Sequence, residues 1–233
     1  MCDDMKVEFK NVTGTGNGFR LCDINMEIRE GYLTGLVGKN GAGKTTLFRY
    51  LVDLAIKFQG DILIDERAGA LSDPSVRSRI AYVSEDQQFV MEKTAEQNAQ
   101  LYGMLYERFD LQQFKENMRR LAVSTRKCPG QMSRGEYLRF QMAFAMAHDT
   151  KLYLLDEVTA GMDPVFRKDF FRLLHEILLQ EDVAILMSSH IEEEVGVHMD
   201  YVVTLDEGRL VSVRETVCKQ SGRSEDNGTC ESF

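Results

Sequence analysis

The stretch GKNGAGKTT at positions 38–46 constrains this chain more than any other. It follows the apolar run YLTGLV and precedes TTLFRYLVDLAI, whose apolar spacing is helical, so its glycines fall where a strand turns tightly into a helix. Gly38, Gly43, Lys44 and Thr45 satisfy the spacing G-x-x-x-x-G-K-[ST]. Glycine lets the backbone wrap with its amides pointing inward, and the following helix presents its positive end. Gly38, Lys39, Asn40, Gly41, Ala42, Gly43, Lys44, Thr45 and Thr46 therefore form a candidate cradle for phosphate oxygens. Lys44 is placed to neutralise the β and γ phosphates, the Thr45 hydroxyl to ligate Mg²⁺, and Thr46 to add a contact to the α phosphate. The bland reading is a Gly-rich turn that needs no ligand; strand, loop and helix in sequence argue against it.

Two further apolar runs end in chemistry. KLYLLDE and VAILMSSH are apolar until their C-terminal ends, as expected of parallel strands buried on both faces, and α/β sheets carry their chemistry at those ends. Asp156 is a candidate Mg²⁺ holder opposite Thr45, through water. Glu157, where the strand stops, can turn toward the γ phosphate and orient or deprotonate the attacking water. His190 ends the second run, where it can contact the γ phosphate.

Strands are predicted at 7–12, 24–28, 33–37, 62–64, 80–84, 152–155, 183–187, 201–205 and 210–213. PVFRKDFFRLLHEILLQ reads as a helix behind an Asp163-Pro164 cap. Residues 92–127 lack strand runs and read as a mainly helical insertion. Ser133, with Glu136 three positions on, reads as a capping box that starts a helix. The polar end, residues 214–233, reads as a disordered tail.

Charge and cysteine use narrow the function classes. A net charge of −9 argues against a protein that holds nucleic acid through its overall field, so no nucleic-acid partner is expected. Five scattered cysteines with no metal-like spacing suggest a reducing cytosol. No run approaches the roughly 18 apolar residues of a membrane span, so a membrane role has to come through a partner.

The ordered set GKNGAGKTT, MSRGE, LYLLDE, AGMDP and SSH resembles the nucleotide-binding subunits of ABC transporters, over nearly all of residues 5–213. The resemblance implies a P-loop α/β core with an N-terminal antiparallel β region and an inserted helical subdomain at about 86–149. It implies an ATPase that uses ATP and Mg²⁺ and works as a dimer. The family's signature, usually Leu-Ser-Gly-Gly-Gln, stands as Met132-Ser133-Arg134-Gly135-Glu136. By resemblance Ser133 and Gly135 contact the γ phosphate of ATP held by a second subunit, identical or different. A serine hydroxyl at a helix start is also a physical anion site. Arg134 is compatible with this if its side chain points away from ATP.

The same resemblance makes Asp163 the residue of the D-loop, Phe19 the ring that stacks on adenine, and Glu85 the occupant of the usual Q-loop glutamine. Glu85 keeps an oxygen for Mg²⁺ or water but adds negative charge, and Glu136 replaces the signature glutamine. Neither change removes an essential group, so hydrolysis is expected to be retained. Separate transmembrane permease subunits are implied, with this chain peripheral on the cytoplasmic side of the membrane, most like bacterial export-type (ABC-2-like) systems. The alternative is a soluble ABC-type ATPase acting on nucleic acid or a ribosome; such members usually carry tandem domains or long insertions, which are not seen in this sequence.

Overall fold

In a computed structural model of the chain, residues 5–16, 19–180, 182–190 and 197–216 are described. β1 (Val7–Gly16) and β2 (Phe19–Ile28) pair antiparallel, and β4 (Phe58–Ile64) and the two-residue β5 (Arg67–Ala68) complete a four-stranded sheet in the order β2-β1-β4-β5. The larger sheet holds β3 (Leu33–Val37), β6 (Ile80–Val83), β7 (Leu152–Leu155), β8 (Ala184–Ser189), β9 (Tyr201–Asp206) and β10 (Arg209–Glu215). Its order is β10-β9-β3-β8-β7-β6, parallel throughout except for the edge strand β10.

Period-two alternation divides the core. Leu152 and Leu154 pack toward the small sheet and α1 (Lys44–Val52), while Tyr153 and Leu155 pack toward α5 (Arg134–Ala145) and α6 (Pro164–Gln180). All four are fully buried, which is why the run LYLL shows no polar position. α3 (Ala95–Gly103), α4 (Leu111–Arg120) and α5 lie between β6 and β7 in the chain and enclose their own cluster around Phe114, Phe140 and Phe144. Thr94 and Asp110 cap α3 and α4.

β3, β7 and α6 have the bounds their apolar patterns predict. β1, β2 and β4 run further, because an antiparallel ladder also pairs polar residues, with register shifts within β1. β5 and the four-residue α2 (Pro74–Arg77) are new: Arg67–Ala68 has no apolar alternation, and α2 rests on an Asp73 cap and Pro74. β8 extends to Ser189 because both serines are buried. β10 passes the apolar run because Arg214 and Glu215 pair with Val202 and Tyr201. The rest of the expected tail, 217–233, lies outside the described residues.

Burial of His148 is expected to make this fold sensitive to acid, in the same direction as the partly buried His198. His148 stacks on Tyr106, with ring centroids 4.2 Å apart, and burial lowers its pKa from 6.5 to about 4 against the weaker opposing pull of Asp149. Between those values the unfolded chain binds a proton that the folded chain refuses, so stability falls as pH drops from 6.5 and levels off below 4. At pH 5 the loss from this group is about 2 kcal/mol. His148→Phe is expected to remove that share of the difference between urea midpoints measured at pH 7 and pH 5; an unchanged difference would show that other groups carry it.

Candidate functional site

Parallel register brings four strand ends to one edge of the large sheet. Val37 lies opposite Ser189, Leu155 opposite Met187, and Val83 opposite Leu155. Gly38, Ser84, Asp156 and His190, each the residue after its strand, therefore emerge together.

The loop 38–44 wraps as its glycines require. A Cβ at Gly38 would stand 2.2 Å from the Leu205 carbonyl oxygen, so that position is set by close approach. Gly41 has open space around it and needs glycine for its φ of 82°, as does Gly43 at 108°. Gly43 precedes α1 and supplies no side-chain cap, so the first amides of the helix have no side-chain acceptor. Lys44 reaches back across the loop: its Nζ donates to the carbonyls of Gly38 (2.8 Å) and Lys39 (3.2 Å). The same ammonium lies 3.2 Å from Glu157 Oε1, and the lysine side chain is 3% exposed. Thr45 and Thr46 follow, half-buried on the first turn.

Asp156 is buried and fully engaged. Its Oδ1 accepts from the Ser188 hydroxyl at 2.6 Å and its Oδ2 from the Tyr82 hydroxyl at 3.1 Å. Burial, and then the neighbouring Asp156 charge, push the Tyr82 phenol well above its ordinary pKa, so it remains a donor. Ser188 also accepts the Glu157 amide at 2.8 Å, so one hydroxyl ties the two acids together. Glu157 has φ 50°, a left-handed conformation that its Cβ makes unfavourable, and its side chain turns back toward Lys44. His190 Nδ1 stands 4.0 Å from Glu157 Oε2 and half of the ring faces solvent.

Sequence reading missed Ser188 and Tyr82 as site residues. The available signal for Ser188 was the pair of serines closing the apolar run VAILM, because a hydroxyl buried at such an end has to find a partner. Tyr82 carried no signal, since its partner is 74 residues away.

The MSRGE segment starts α5. Ser133 Oγ accepts the Glu136 amide (3.2 Å) and Glu136 Oε2 accepts the Ser133 amide (2.8 Å), a reciprocal capping box. Lys127 adds an ion pair at 2.7 Å, and with the Ser133 amide it holds the Glu136 carboxyl at a pKa of about 2. Ser133 is exposed at a helix start, where its hydrogen bonds run to Glu136 and Tyr137 of its own helix. Arg134 turns onto its own chain and pairs with Glu85, so Glu85 is directed to Arg134 and not to Asp156 or Lys44. Gly135 lies against α6: a Cβ there would touch the Phe166 ring at 3.4 Å. Asp163 caps α6 by accepting the amides of Val165 and Phe166. Phe19 opens β2, and its ring lies outside what the structure describes.

The donors fit a magnesium-bound triphosphate. Open amides at the start of α1, a buried ammonium held among carbonyls, a threonine hydroxyl and an anchored aspartate are the groups such a ligand requires, and Gly41 leaves room for it.

Comparison with known proteins agrees. Residues 21–160 match the family described as ABC transporter. The bacitracin transport ATP-binding protein BcrA of Bacillus licheniformis is 31% identical over 192 residues, which are 81% of this chain and 62% of BcrA. The ABC transporter ATP-binding protein YtrB of Bacillus subtilis is 29% identical over 195 residues, 84% of this chain and 66% of YtrB. The chain thus spans slightly less than two thirds of the length of these two relatives. Among solved structures, cbiO1 from Clostridium perfringens, described as part of the ABC transporter complex cbiONQ, matches with a TM-score of 0.76 at 25% identity, covering 91% of this chain and 89% of that one.

Proposed function

The chain belongs to the ABC transporter family, and from that premise we propose that it is the ATP-binding and ATP-hydrolysing subunit of a membrane transporter. The observation that carries this reading is the meeting of Lys44, Glu157 and the anchored Asp156 at the start of α1.

Lys44 is a buried cation whose one charged contact among the described residues is Glu157. Phosphate oxygens at the loop can take over that role, which frees the Glu157 carboxylate to accept a proton from an attacking water. Ser188 holds the Glu157 amide, so the carboxylate swings about a fixed turn. His190, whose Nδ1 is 4.0 Å from Glu157 Oε2, would contact the γ phosphate and orient the water. Thr45 and Asp156 would hold Mg²⁺, which supplies charge neutralisation across the β and γ phosphates. Ser133 and Gly135 complete the ATP site of a second subunit, and hydrolysis lets the two separate.

No helix among the described residues is long and apolar enough to cross a membrane. Separate permease subunits then supply the path, with this chain held on the cytoplasmic face through the surface near Glu85 and α3–α5. The domain is taken as residues 1–213 with the helical part at about 86–149. The pattern of motifs supports an export-type reading.

Phosphate release from Mg·ATP by the purified chain tests the reading, with 1–10³ turnovers per second the ordinary range for an enzyme. A chain that binds ATP and releases no phosphate above background would be a nucleotide-sensing module. Co-purification with ribosomal or nucleic-acid components instead of polytopic membrane subunits would favour the soluble alternative.

A further inference from the structure

Arg134, the first residue of α5, gathers two separate pieces of its own chain. It pairs with Glu85, its Nη2 faces the Glu157 carbonyl oxygen at 3.5 Å, and its Nη1 lies so close to Gly161 that a Cβ there would be 2.9 Å away. A planar fork of donors can face several partners in this way, whereas an ammonium addresses them as a point charge.

The next turns of the helix continue the contact. The Tyr137 hydroxyl donates to the Asp86 carbonyl (3.1 Å) and accepts the Gln88 amide (3.1 Å). The buried Gln141 donates to the Ser84 carbonyl (2.8 Å) and accepts the Ser84 amide (3.3 Å). Positions 134, 137 and 141 share one helix face, so α5 is clasped along residues 84–88. Arg134 is the member of this clasp that also reaches the turn carrying Glu157.

We infer that Arg134, held by Glu85, is a positioning residue that couples the turn of Glu157 to the helix start at Ser133. Resting on the proposed function, this links the two ATP sites of a dimer: one chain's catalytic turn and the helix start that it lends to its partner move as a unit. The Glu85 and Arg134 side chains are 56% and 43% exposed, so their pairing adds little to folding stability, and its consequence is one of position.

The test is a double-mutant cycle in the full chain with Arg134→Ala, Glu85→Ala and both together. Without nucleotide, amide hydrogen exchange at 157–161 is expected to quicken about fivefold in Arg134→Ala. In steady state kcat is expected to fall about tenfold with the KM for ATP nearly unchanged, and the double variant to be no worse than the worse single one. Arg134→Lys, which keeps the charge and loses the fork, should fall between wild type and Arg134→Ala. Unchanged exchange at 157–161, or kcat losses that add, would overturn the proposal; additive losses are what direct contact between Arg134 and a partner's phosphate predicts. Absence of turnover in the wild type would count against the ATPase reading alone, because the exchange measurement needs no nucleotide.

Discussion

Glu157→Gln is expected to lower phosphate release by roughly 10²- to 10⁴-fold, the range spanned by removal of a positioned general base. Glutamine keeps the shape of the side chain and so the turn at φ 50°, whose amide is bonded to Ser188. It removes the proton acceptor and, with it, the negative charge 3.2 Å from Lys44 Nζ. That carboxylate competes with phosphate for the buried ammonium, so nucleotide binding is expected to hold or strengthen while turnover collapses. Two measurements check this: single-turnover phosphate release, and the size of the complex in Mg·ATP, where the variant should accumulate as a dimer. Wild-type turnover in the variant would move the base elsewhere, with His190 the nearest other candidate.

Ser133→Asp, introduced into the Glu157→Gln chain, is expected to weaken the ATP-dependent dimer by about 100-fold or more, since a like charge brought against a buried phosphate costs several kcal/mol. The change separates the two functions of this residue. Aspartate caps a helix as well as serine does, so the monomer should keep its stability to within about 0.5 kcal/mol. Nucleotide binding by the monomer should also be unchanged, because in the proposed function Ser133 serves the ATP of the second subunit. Sedimentation with and without ATP reads the dimer, and nucleotide titration of the monomer reads the rest. If dimer formation survived, the helix start would be a cap and nothing more.

Legibility in the sequence followed the range of the interaction. Strands β3 and β7 and helix α6 were readable to the residue because each is a local pattern of apolar spacing closed by a local signal, such as the Asp163 cap. The phosphate loop was equally readable, since its glycines, lysine and threonine act through one strand-to-helix turn. The capping box at Ser133 and Glu136 is a three-residue relation, and the structure contains it. What failed to show was short or polar: β5 pairs over two residues, and α2 spans one turn.

The supports of the two acids were hidden for a different reason. Ser188 lies 32 residues from Asp156 and Tyr82 lies 74 away, so each hydroxyl finds its carboxylate only after β6, β7 and β8 have paired. The same holds for Glu85 and Arg134. As letters, both are departures from a family pattern, Glu85 reading as added charge near a triphosphate and Arg134 as a side chain that has to point away from it; in the fold they pair with one another.

By itself, then, the sequence determined the chemistry available to this protein: a loop for phosphates, two acids at the end of one buried strand, a histidine at the end of another, and a helix start fit for an anion. Those are consequences of local spacing and backbone geometry, which need no distant partner. Tertiary structure alone decided which groups meet. Strand order set Lys44 against Glu157, the Ser188 hydroxyl between the Asp156 carboxylate and the Glu157 amide, and Arg134 across the turn of Glu157. Non-local pairing of strands and helices fixes those distances, and one-dimensional spacing carries no record of them.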